Sequence, residues 1–170
     1  MSRFRIEPFD KAKHDRATFR CRSDELNAYF RTQASQDIKR RMGACFVAVE
    51  VATGRVAGFY TLSPAEVSIS ALSPEWAAKL PKYPRFGAAR IGRLAVAVEL
   101  EGQRLGPAML VDALQRVLAN PIPVFAVLVD AKDDRAVRFY VRNGFRQFAD
   151  QPGSLYIVMA EVAKTLARKA

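Results

Sequence analysis

The stretch RIGRLAVAVELEGQRLGPAMLVDAL occupies residues 90–114 and changes character twice along its length. It opens as an apolar run typical of a β-strand, passes through a short segment with glycines at 102 and 106, and continues with apolar residues at helical spacing. The sequence therefore predicts a strand, a glycine-containing loop and a helix in immediate succession. Because the first turn of a helix has unpartnered N–H groups and a positive dipole end, we expect an anion, such as a phosphate, to bind there.

The composition of this loop limits which phosphate ligands are compatible. Gly102 and Gly106 are expected to allow a close approach of the backbone to a ligand, and Arg104 adds a positive charge. Pro107 suits a first helical turn but removes one N–H donor, so a weakened affinity is expected. A P-loop requires GxxxxGK[ST] and a dinucleotide fingerprint requires GxGxxG, and neither is present. Residues 103–108 do match the pattern [Q/R]-x-x-G-x-[G/A]. An ordinary strand-to-helix turn also satisfies this pattern.

Apolar periodicity and turn residues divide the first half of the chain. A helix is predicted from an N-cap at Ser23 to about residue 39. Two strands, 44–51 and 55–62, flank a hairpin turn at Thr53-Gly54. The next segments are predicted as a short strand piece, a helix capped by Ser73 with Pro74 at its first position, and a loop: 65–70, 73–80 and 82–87.

The second half alternates strands with helices. A continuous apolar run at 124–129 is typical of a parallel strand covered on both faces, and Asn143-Gly144 is the expected C-terminal cap of a helix. The predicted strands and helices in this half are 88–98, 107–119, 124–129, 133–143 and 154–162. This alternation predicts an α/β protein with a mixed central sheet flanked by helices, in a single domain over residues 1–170.

Composition excludes several kinds of chemistry. The chain has one histidine, His14, and two cysteines, Cys21 and Cys45, which show no metal-ligand spacing. We expect no metal site, two reduced and buried cysteines, and a surface position for the histidine. The polar N-terminus and the lack of an apolar run near the ~20 residues of a membrane span predict a cytoplasmic protein without membrane contact.

The formal charge of +10 bears on partners rather than on fold. It is compatible with an ordinary solvated basic surface, and also with a nucleic acid or an acidic protein as partner. The basic residues crowd both ends of the chain: Arg3, Arg5, Lys11, Lys13, Arg16, Arg20, Arg22, Lys39, Arg40, Arg41, Lys164, Arg168 and Lys169.

A second motif follows the glycine loop in the sequence. Residues 131–145, AKDDRAVRFYVRNGF, carry the pattern Ala-x-x-FY-x-x-x-GF at Ala136, Phe139, Tyr140, Gly144 and Phe145. Taken with the glycine loop and the order of elements, the chain resembles the GNAT family of acetyl-CoA-dependent N-acetyltransferases over nearly its whole length. The resemblance implies the GNAT acyl-CoA N-acyltransferase fold, acetyl-CoA as co-substrate and no metal.

Three further stretches narrow the resemblance to one branch of the family. FRCRSDELNAYFRTQASQD, YPRFGAARIGRLAV and VLVDAKDDRAVRFY are similar to the GNAT toxins of bacterial toxin–antitoxin pairs. That branch acetylates the α-amino group of aminoacyl-tRNA and so blocks translation. The resemblance implies an aminoacyl-tRNA substrate, a ribbon-helix-helix antitoxin as partner and a homodimer. Charge and position make Arg90 and Arg93 the first candidates for tRNA contact, followed by Arg85, Lys39, Arg40 and Arg41.

The resemblance also assigns roles to residues. Tyr140 is expected to protonate the leaving CoA thiolate, and its ordinary pKa of about 10 keeps it protonated at neutral pH. The backbone of Leu94, Ala95 and Val96 is expected to hold the pantetheine and the acetyl carbonyl. The pyrophosphate set is Gln103, Arg104, Gly106 and Ala108, and Leu105 and Phe139 complete the cofactor-binding residues.

Two features depart from an ordinary acetyltransferase pattern. No conspicuous general base is present, although Glu99 and Glu66 are candidates. An α-amino group has a pKa of about 8, against about 10.4 for lysine, so an α-amine could react without a base. Asp133 and Asp134 stand where many family members have Asn beside the cofactor, and we expect both to face away from CoA.

Alternative functions remain open on the sequence. One is a GNAT enzyme that acetylates a small amine or a protein N-terminus, although the acid-poor surroundings of the motifs disfavour polyamines. Another is a non-catalytic module that binds CoA or nucleic acid.

Overall fold

The computed structural model describes residues 2–170. Hydrogen bonding joins seven strands into one mixed sheet in the order β1-β2-β3-β4-β5-β7-β6. The strands are β1 (Phe4–Pro8), β2 (Ala44–Glu50), β3 (Val56–Ser68), β4 (Arg85–Val96), β5 (Ala126–Asp130), β6 (Arg146–Gln147) and β7 (Ser154–Val158). The helices are α1 (Asp24–Thr32), α2 (Ala34–Lys39), α3 (Pro74–Lys79), α4 (Leu105–Ala119), α5 (Asp134–Arg142) and α6 (Met159–Lys169).

Contacts between residues divide the chain into two compact units. The first unit contains the chain up to Ser63 together with Ile91–Ala113, and the second contains Pro64–Arg90 and Leu114–Ala170. β3, β4 and α4 each contribute residues to both units.

The first unit is built on an antiparallel meander of β1, β2 and the first part of β3. The turn between β2 and β3 contains Gly54 at φ 71°, a conformation in which glycine carries no steric penalty. The core of this unit is aromatic. Phe30 stacks on Phe59 with 4.5 Å between ring centroids, and Phe19 meets both rings edge-on. Burial of such rings is a large apolar contribution to folding.

The second unit is built on β5, β6 and β7, which pair antiparallel. Four consecutive residues of β5, 126–129, are buried, in agreement with the prediction of a strand covered on both faces. One core cluster contains Val67, Leu72, Ala88, Ala126, Leu128, Tyr156 and Val158, with Trp76 and Phe86 packed against it.

Several predicted elements are confirmed by their caps. The Ser23 side chain accepts from the N–H of Leu26, and Ser73 caps α3, whose first residue is Pro74. Asp133 caps α5, and Gly144 follows that helix at φ 94°. Cys21 and Cys45 are free and buried, as predicted.

Element boundaries required correction in the first half of the chain. The helix predicted from 23 to 39 is two helices, because Gln33 departs from helical geometry with φ −116°. The segment 65–70 is not a separate strand, since β3 continues through Ser68 and a 3-10 turn, Ile69–Ala71, follows. β4 begins at Arg85 inside the predicted loop, and β1 was not predicted at all.

Two corrections concern helices in the second half. α4 begins at Leu105 rather than at Pro107, so Gly106 is a helical residue and not a loop residue. The strand predicted over 154–162 ends at Val158, and the following residues form α6, which was missed.

The surface position expected for His14 is wrong. Its side chain is buried, stacks on Phe9 with 6.0 Å between ring centroids, and its Nδ1 accepts from the N–H of Asp10. Its Nε2 lies 2.7 Å from a carboxylate oxygen of Glu7, which also contacts Lys13 and Arg5. The histidine is thus a packed residue whose two ring nitrogens both have partners.

Candidate acetyl-CoA site and its surroundings

The end of β4 is anchored by two backbone hydrogen bonds within the first unit. The N–H of Ala97 donates to the carbonyl of Ala57 at 2.8 Å, and the N–H of Val98 donates to the carbonyl of Arg20 at 3.0 Å. Ala95 is buried, whereas Leu94 and Val96 are half-buried on the alternate face of the strand. The strand that is predicted to hold pantetheine is therefore fixed immediately before the glycine loop begins.

The loop turns through two left-handed residues. Gly102 has φ 75°, and Arg104, which has a Cβ, has φ 62°. This conformation costs a residue other than glycine about 1 kcal/mol or more. The sequence predicts tight geometry at Gly102 and Gly106. Gly102 adopts it, whereas Gly106 is a helical residue and the second left-handed residue is Arg104. Strain of this kind is typical of functional loops, because left-handed residues turn successive N–H groups towards a common point.

The first turn of α4 leaves few backbone donors. The N–H of Ala108 donates to the carbonyl of Arg104 at 3.2 Å, and Pro107 has no N–H. The N–H groups of Leu105 and Gly106 precede the first bond within the helix and point out of its N-terminus. Together with the positive end of the helix dipole and the exposed Arg104 side chain, they are the groups of this loop that could attract an anion.

Gln103 is held by protein contacts. Its Nε2 donates to the carbonyl of Glu99 at 3.4 Å, and its Oε1 accepts from Arg3. Arg3 also forms an ion pair of 2.8 Å with Glu50. The Gln103 side chain is therefore occupied by protein contacts on both its amide nitrogen and its amide oxygen. Sequence reasoning did not identify the contact between Arg3 and Gln103. The two residues lie about a hundred positions apart, and no local sequence pattern links them.

Arg93 lies on β4 in the same unit. Its guanidinium carbon is 3.6 Å from the centre of the Tyr29 ring, and the Tyr29 hydroxyl donates to Asp37 at 3.0 Å. Burial is the main cause that raises the pKa of Tyr29 above its usual value, with the hydrogen bond to Asp37 adding to the rise. The Arg93 charge also acts on the buried thiol of Cys45, whose pKa burial raises to about 12 in spite of that charge.

Tyr140 and Phe139 belong to the second unit, on α5. The Tyr140 ring is 8% exposed and packs edge-on against Phe139 and Phe145. Burial raises the pKa of the Tyr140 phenol to about 12. Among residues 2–170, the Tyr140 hydroxyl makes no hydrogen bond, and no fully buried side-chain oxygen or nitrogen lacks a partner. The hydroxyl is therefore open to solvent and protonated at neutral pH.

The two aspartates before this tyrosine are exposed. Asp133 accepts from the N–H of Ala136 at 2.8 Å and so acts as the cap of its own helix. Asp134 lies in the first turn, where a negative charge interacts favourably with the helix dipole. Both carboxylates thus have a structural explanation within α5.

A polar cleft lies in the second unit, with a volume of about 350 Å³. Arg90 pairs there with Asp130, which also accepts from the Ser154 hydroxyl at 2.7 Å. Glu66 and Asp150 line the same cleft, and Glu66 lies 3.3 Å from Arg85. Arg90 and Arg85 are therefore both neutralised by acids, unlike Arg93.

Neither of the two carboxylates that the sequence offered as a general base is buried. Glu99 is exposed and lies 3.6 Å from Arg55, and Glu66 is exposed beside Arg85. Over the described part of the chain, residues 2–170, no three His, Cys, Asp or Glu side chains are grouped as metal ligands would be. Over the same residues, no helix has both the length and the apolar character needed to cross a membrane.

Comparison with known proteins agrees with this architecture. The sequence profile of the acetyltransferase (GNAT) family matches residues 11–145. The probable toxin TacT of Sinorhizobium fredii (strain NBRC 101917 / NGR234) is 27% identical over 166 residues, covering 92% of each chain. A tRNA-acetylating toxin of Mycobacterium tuberculosis (strain ATCC 25618 / H37Rv) is 30% identical over 149 residues, covering 86% of this chain and 87% of that protein.

Structural comparison establishes the fold independently. The solved structure of AtaT complexed with acetyl-methionyl-tRNAfMet has a TM-score of 0.88 with this chain at 22% identity, covering 96% of this chain and 99% of that one. The family match spans the strand, the loop and the Tyr140 helix described above. The chain belongs to the GNAT family and is an N-acetyltransferase that uses acetyl-CoA as its acetyl donor.

Proposed function

We propose that this acetyltransferase is a toxin that acetylates the α-amino group of aminoacyl-tRNA and thereby blocks translation. The observation that carries the proposal is the 30% identity to a tRNA-acetylating toxin over most of both chains. The similarity to the probable toxin TacT and to the AtaT fold, solved with acetyl-methionyl-tRNAfMet, supports the same class of substrate. The net charge of +10 suits an RNA partner.

The binding of acetyl-CoA is proposed to rest on the loop and the end of β4. Bound acetyl-CoA supplies an activated acetyl thioester. The N–H groups of Leu105 and Gly106 and the Arg104 guanidinium hold the pyrophosphate, helped by the backbone of Gln103 and Ala108. The backbone of Leu94, Ala95 and Val96 binds the pantetheine arm and the acetyl carbonyl, where an N–H group stabilises the developing negative charge. Phe139 is the remaining member of the proposed cofactor-binding set.

Tyr140 is proposed as the general acid. Its hydroxyl has no competing protein partner and retains its proton throughout the physiological pH range, because burial raises its pKa to about 12. It can therefore deliver a proton to the departing thiolate sulfur. The absence of a prepared base among the described residues suits an α-amine, which is partly neutral at pH 7 without assistance.

The decisive experiment is acetyl transfer to bulk charged tRNA. The protein is incubated with acetyl-CoA and aminoacylated tRNA, nuclease releases the aminoacyl-adenosines, and mass spectrometry weighs them. We expect an added acetyl mass on one or a few amino acids. Tyr140→Phe should lower the rate ~10²- to 10⁴-fold, the usual contribution of general acid catalysis, while binding of CoA is retained. Unmodified aminoacyl-adenosines beside tight CoA binding would refute the proposed substrate.

The toxin proposal extends to partners and location. A ribbon-helix-helix antitoxin would hold the enzyme inactive, and a gene for such a protein next to this one would support the assignment. We also propose a homodimer, a single catalytic domain over residues 1–170, and a cytoplasmic location, where charged tRNA is found. Sedimentation of the purified protein alone and with the neighbouring gene product tests the two assemblies.

A second acceptor class is supported by the cleft of the second unit. Glu66, Asp130 and Asp150 line it, and Asp150 makes no ion pair among the described residues. Such a cleft could hold a small cationic amine, which the acid-poor motifs alone had disfavoured. Acetylation of a panel of small amines, compared between the wild type and Asp150→Asn, tests this alternative.

A further inference from the structure

The Arg93 side chain is unusual among the arginines of this protein. It is half-buried, yet within residues 2–170 it forms no hydrogen bond and no ion pair. Placing a cation away from water without an anion is costly. The other arginines of β4 have acids beside them, and so do several arginines elsewhere in the protein: Arg85 with Glu66, Arg90 with Asp130, Arg3 with Glu50, Arg22 with Glu101 and Arg55 with Glu99.

The contact that Arg93 does make is with an aromatic face. Its guanidinium carbon lies 3.6 Å from the centre of the Tyr29 ring, which is a stacking distance. Stacking occupies the face of the guanidinium and leaves the N–H groups along its edge free. Those edge donors match two oxygens of a phosphate, a geometry that a lysine cannot reproduce.

Tyr29 is itself held on two sides. Its hydroxyl donates to Asp37 on α2, and its ring stacks on Phe59 of β3 with 6.3 Å between centroids. Phe59 is fully buried. The ring is thus a fixed support, and the guanidinium that stacks on it loses little further freedom when it binds a ligand.

We propose that Tyr29 is a positioning residue that presents Arg93 to a phosphate of the RNA acceptor strand. This inference rests on the proposed function for the identity of the RNA, and it adds a residue from α1 to which sequence reasoning assigned no functional role. Asp37 contributes indirectly, because it accepts the hydrogen bond that holds the Tyr29 hydroxyl. CoA also carries phosphates, so the test must separate the two sources.

The experiment uses the full chain and two readouts. The first is binding of a labelled RNA minihelix that ends in CCA, measured by fluorescence anisotropy at several salt concentrations. The second is the KM and kcat for charged tRNA, with the Kd for CoA measured alongside. The variants are Tyr29→Leu, Tyr29→Phe, Arg93→Ala, Arg93→Lys and the double change Tyr29→Leu/Arg93→Ala. Lys79→Ala, which removes one exposed charge from α3, is the control.

Tyr29→Leu should weaken RNA binding about 3- to 30-fold and raise the KM for charged tRNA equally, which is the range expected for a cation–π contact. kcat and the Kd for CoA should not change. Tyr29→Phe keeps the ring but loses the hydrogen bond to Asp37, so it should weaken RNA binding less than Tyr29→Leu does. Arg93→Ala should remove about one phosphate contact. The slope of the logarithm of RNA affinity against the logarithm of salt concentration should then become shallower by about one. In the Arg93→Ala background, Tyr29→Leu should have no further effect, which a merely structural role would not produce.

Contrary outcomes are clear. Wild-type RNA affinity in Tyr29→Leu, or a loss that is equal with and without Arg93, overturns the inference. A raised Kd for CoA in Arg93→Ala with unchanged RNA binding also overturns it and assigns the phosphate to CoA. If Tyr29→Leu does not fold, Arg93→Lys decides, since it leaves α1 intact and should still lose affinity. Pair-dependent RNA binding without acetylation of charged tRNA would keep this inference and reject the proposed function.

Discussion

Gly58 lies so close to Ala95 that a methyl group on the glycine would come within 2.8 Å of the Ala95 carbonyl oxygen. The same methyl would meet the sulfur of Met109 at 2.9 Å. The methionine tip can move, but the carbonyl is part of β4. We predict that Gly58→Ala displaces the end of that strand, destabilises the protein by about 1–3 kcal/mol and weakens CoA binding. Urea unfolding and CoA titration measure both effects.

Gly87 provides the matched control for this prediction. It lies on β4, the strand that carries Ala95, and the nearest atom to a methyl group there would be 4.0 Å away. Gly87→Ala should therefore change neither stability nor CoA affinity appreciably. Equal behaviour of the two variants would show that the close approach at Ala95 has no role in shaping the strand.

Arg104 allows charge and strain to be separated. Both Arg104→Ala and Arg104→Gly remove the guanidinium and should weaken CoA binding to the same extent. Only glycine relieves the left-handed conformation, so Arg104→Gly should be more stable than Arg104→Ala by about 1 kcal/mol. Thermal unfolding should place the glycine variant about 2–4 °C higher. A higher melting temperature for the alanine variant would contradict the strained geometry.

The pH profile of the enzyme follows from Tyr140. A general acid must be protonated, and with a pKa raised to about 12 this tyrosine stays protonated below that pH. Its ionisation should thus not reduce activity up to pH 9.5. The rate with charged tRNA below saturation should instead rise as the α-amine loses its proton, and level off above pH ~8. A fall in kcat/KM between pH 8 and 9.5, with the protein still folded, would argue against this role.

Glu7 should make stability depend on pH at the acid end. Lys13, His14 and Arg5 hold the pKa of Glu7 down at about 2. In the unfolded chain this pKa is about 4.3, so unfolding takes up a proton between these values. The stabilisation is complete above pH 5 and is lost as pH falls towards 2. Glu7→Gln should lower the free energy of unfolding by about 1–2 kcal/mol at pH 7 and by much less at pH 2.5, measured by urea unfolding.

Prediction from sequence succeeded where local chemistry marks both ends of an element. α5 begins at an aspartate cap and ends at a glycine with positive φ, and both signals are visible in the sequence. It failed for His14, because the burial of that side chain depends on Glu7 and Phe9 on the other side of a turn. The position of the histidine among charged neighbours indicated solvent, whereas the fold supplies a hydrogen bond between its Nε2 and Glu7.

The remaining errors have similar physical causes. β1 alternates apolar and charged residues, Phe4, Arg5, Ile6 and Glu7, and this short pattern was overlooked beside the dense charge. α6 was read as strand because the apolar run of β7 continues into it at Met159, although Val162 already falls at helical spacing. The glycine loop was located correctly, but a left-handed arginine is not recognisable from sequence, since only the surrounding contacts impose it.

Pro107 changes which groups would attract the phosphate in the proposed acetyl-CoA site. With one N–H fewer in the first turn of α4, fixed dipoles supply less of the attraction and the mobile charge of Arg104 supplies more. Fixed dipoles that meet their ligand directly are screened little by dissolved ions, whereas an exposed guanidinium is screened strongly. Affinity for acetyl-CoA should therefore fall with ionic strength more steeply than in a Pro107→Ala variant, which makes this loop a salt-responsive part of the enzyme.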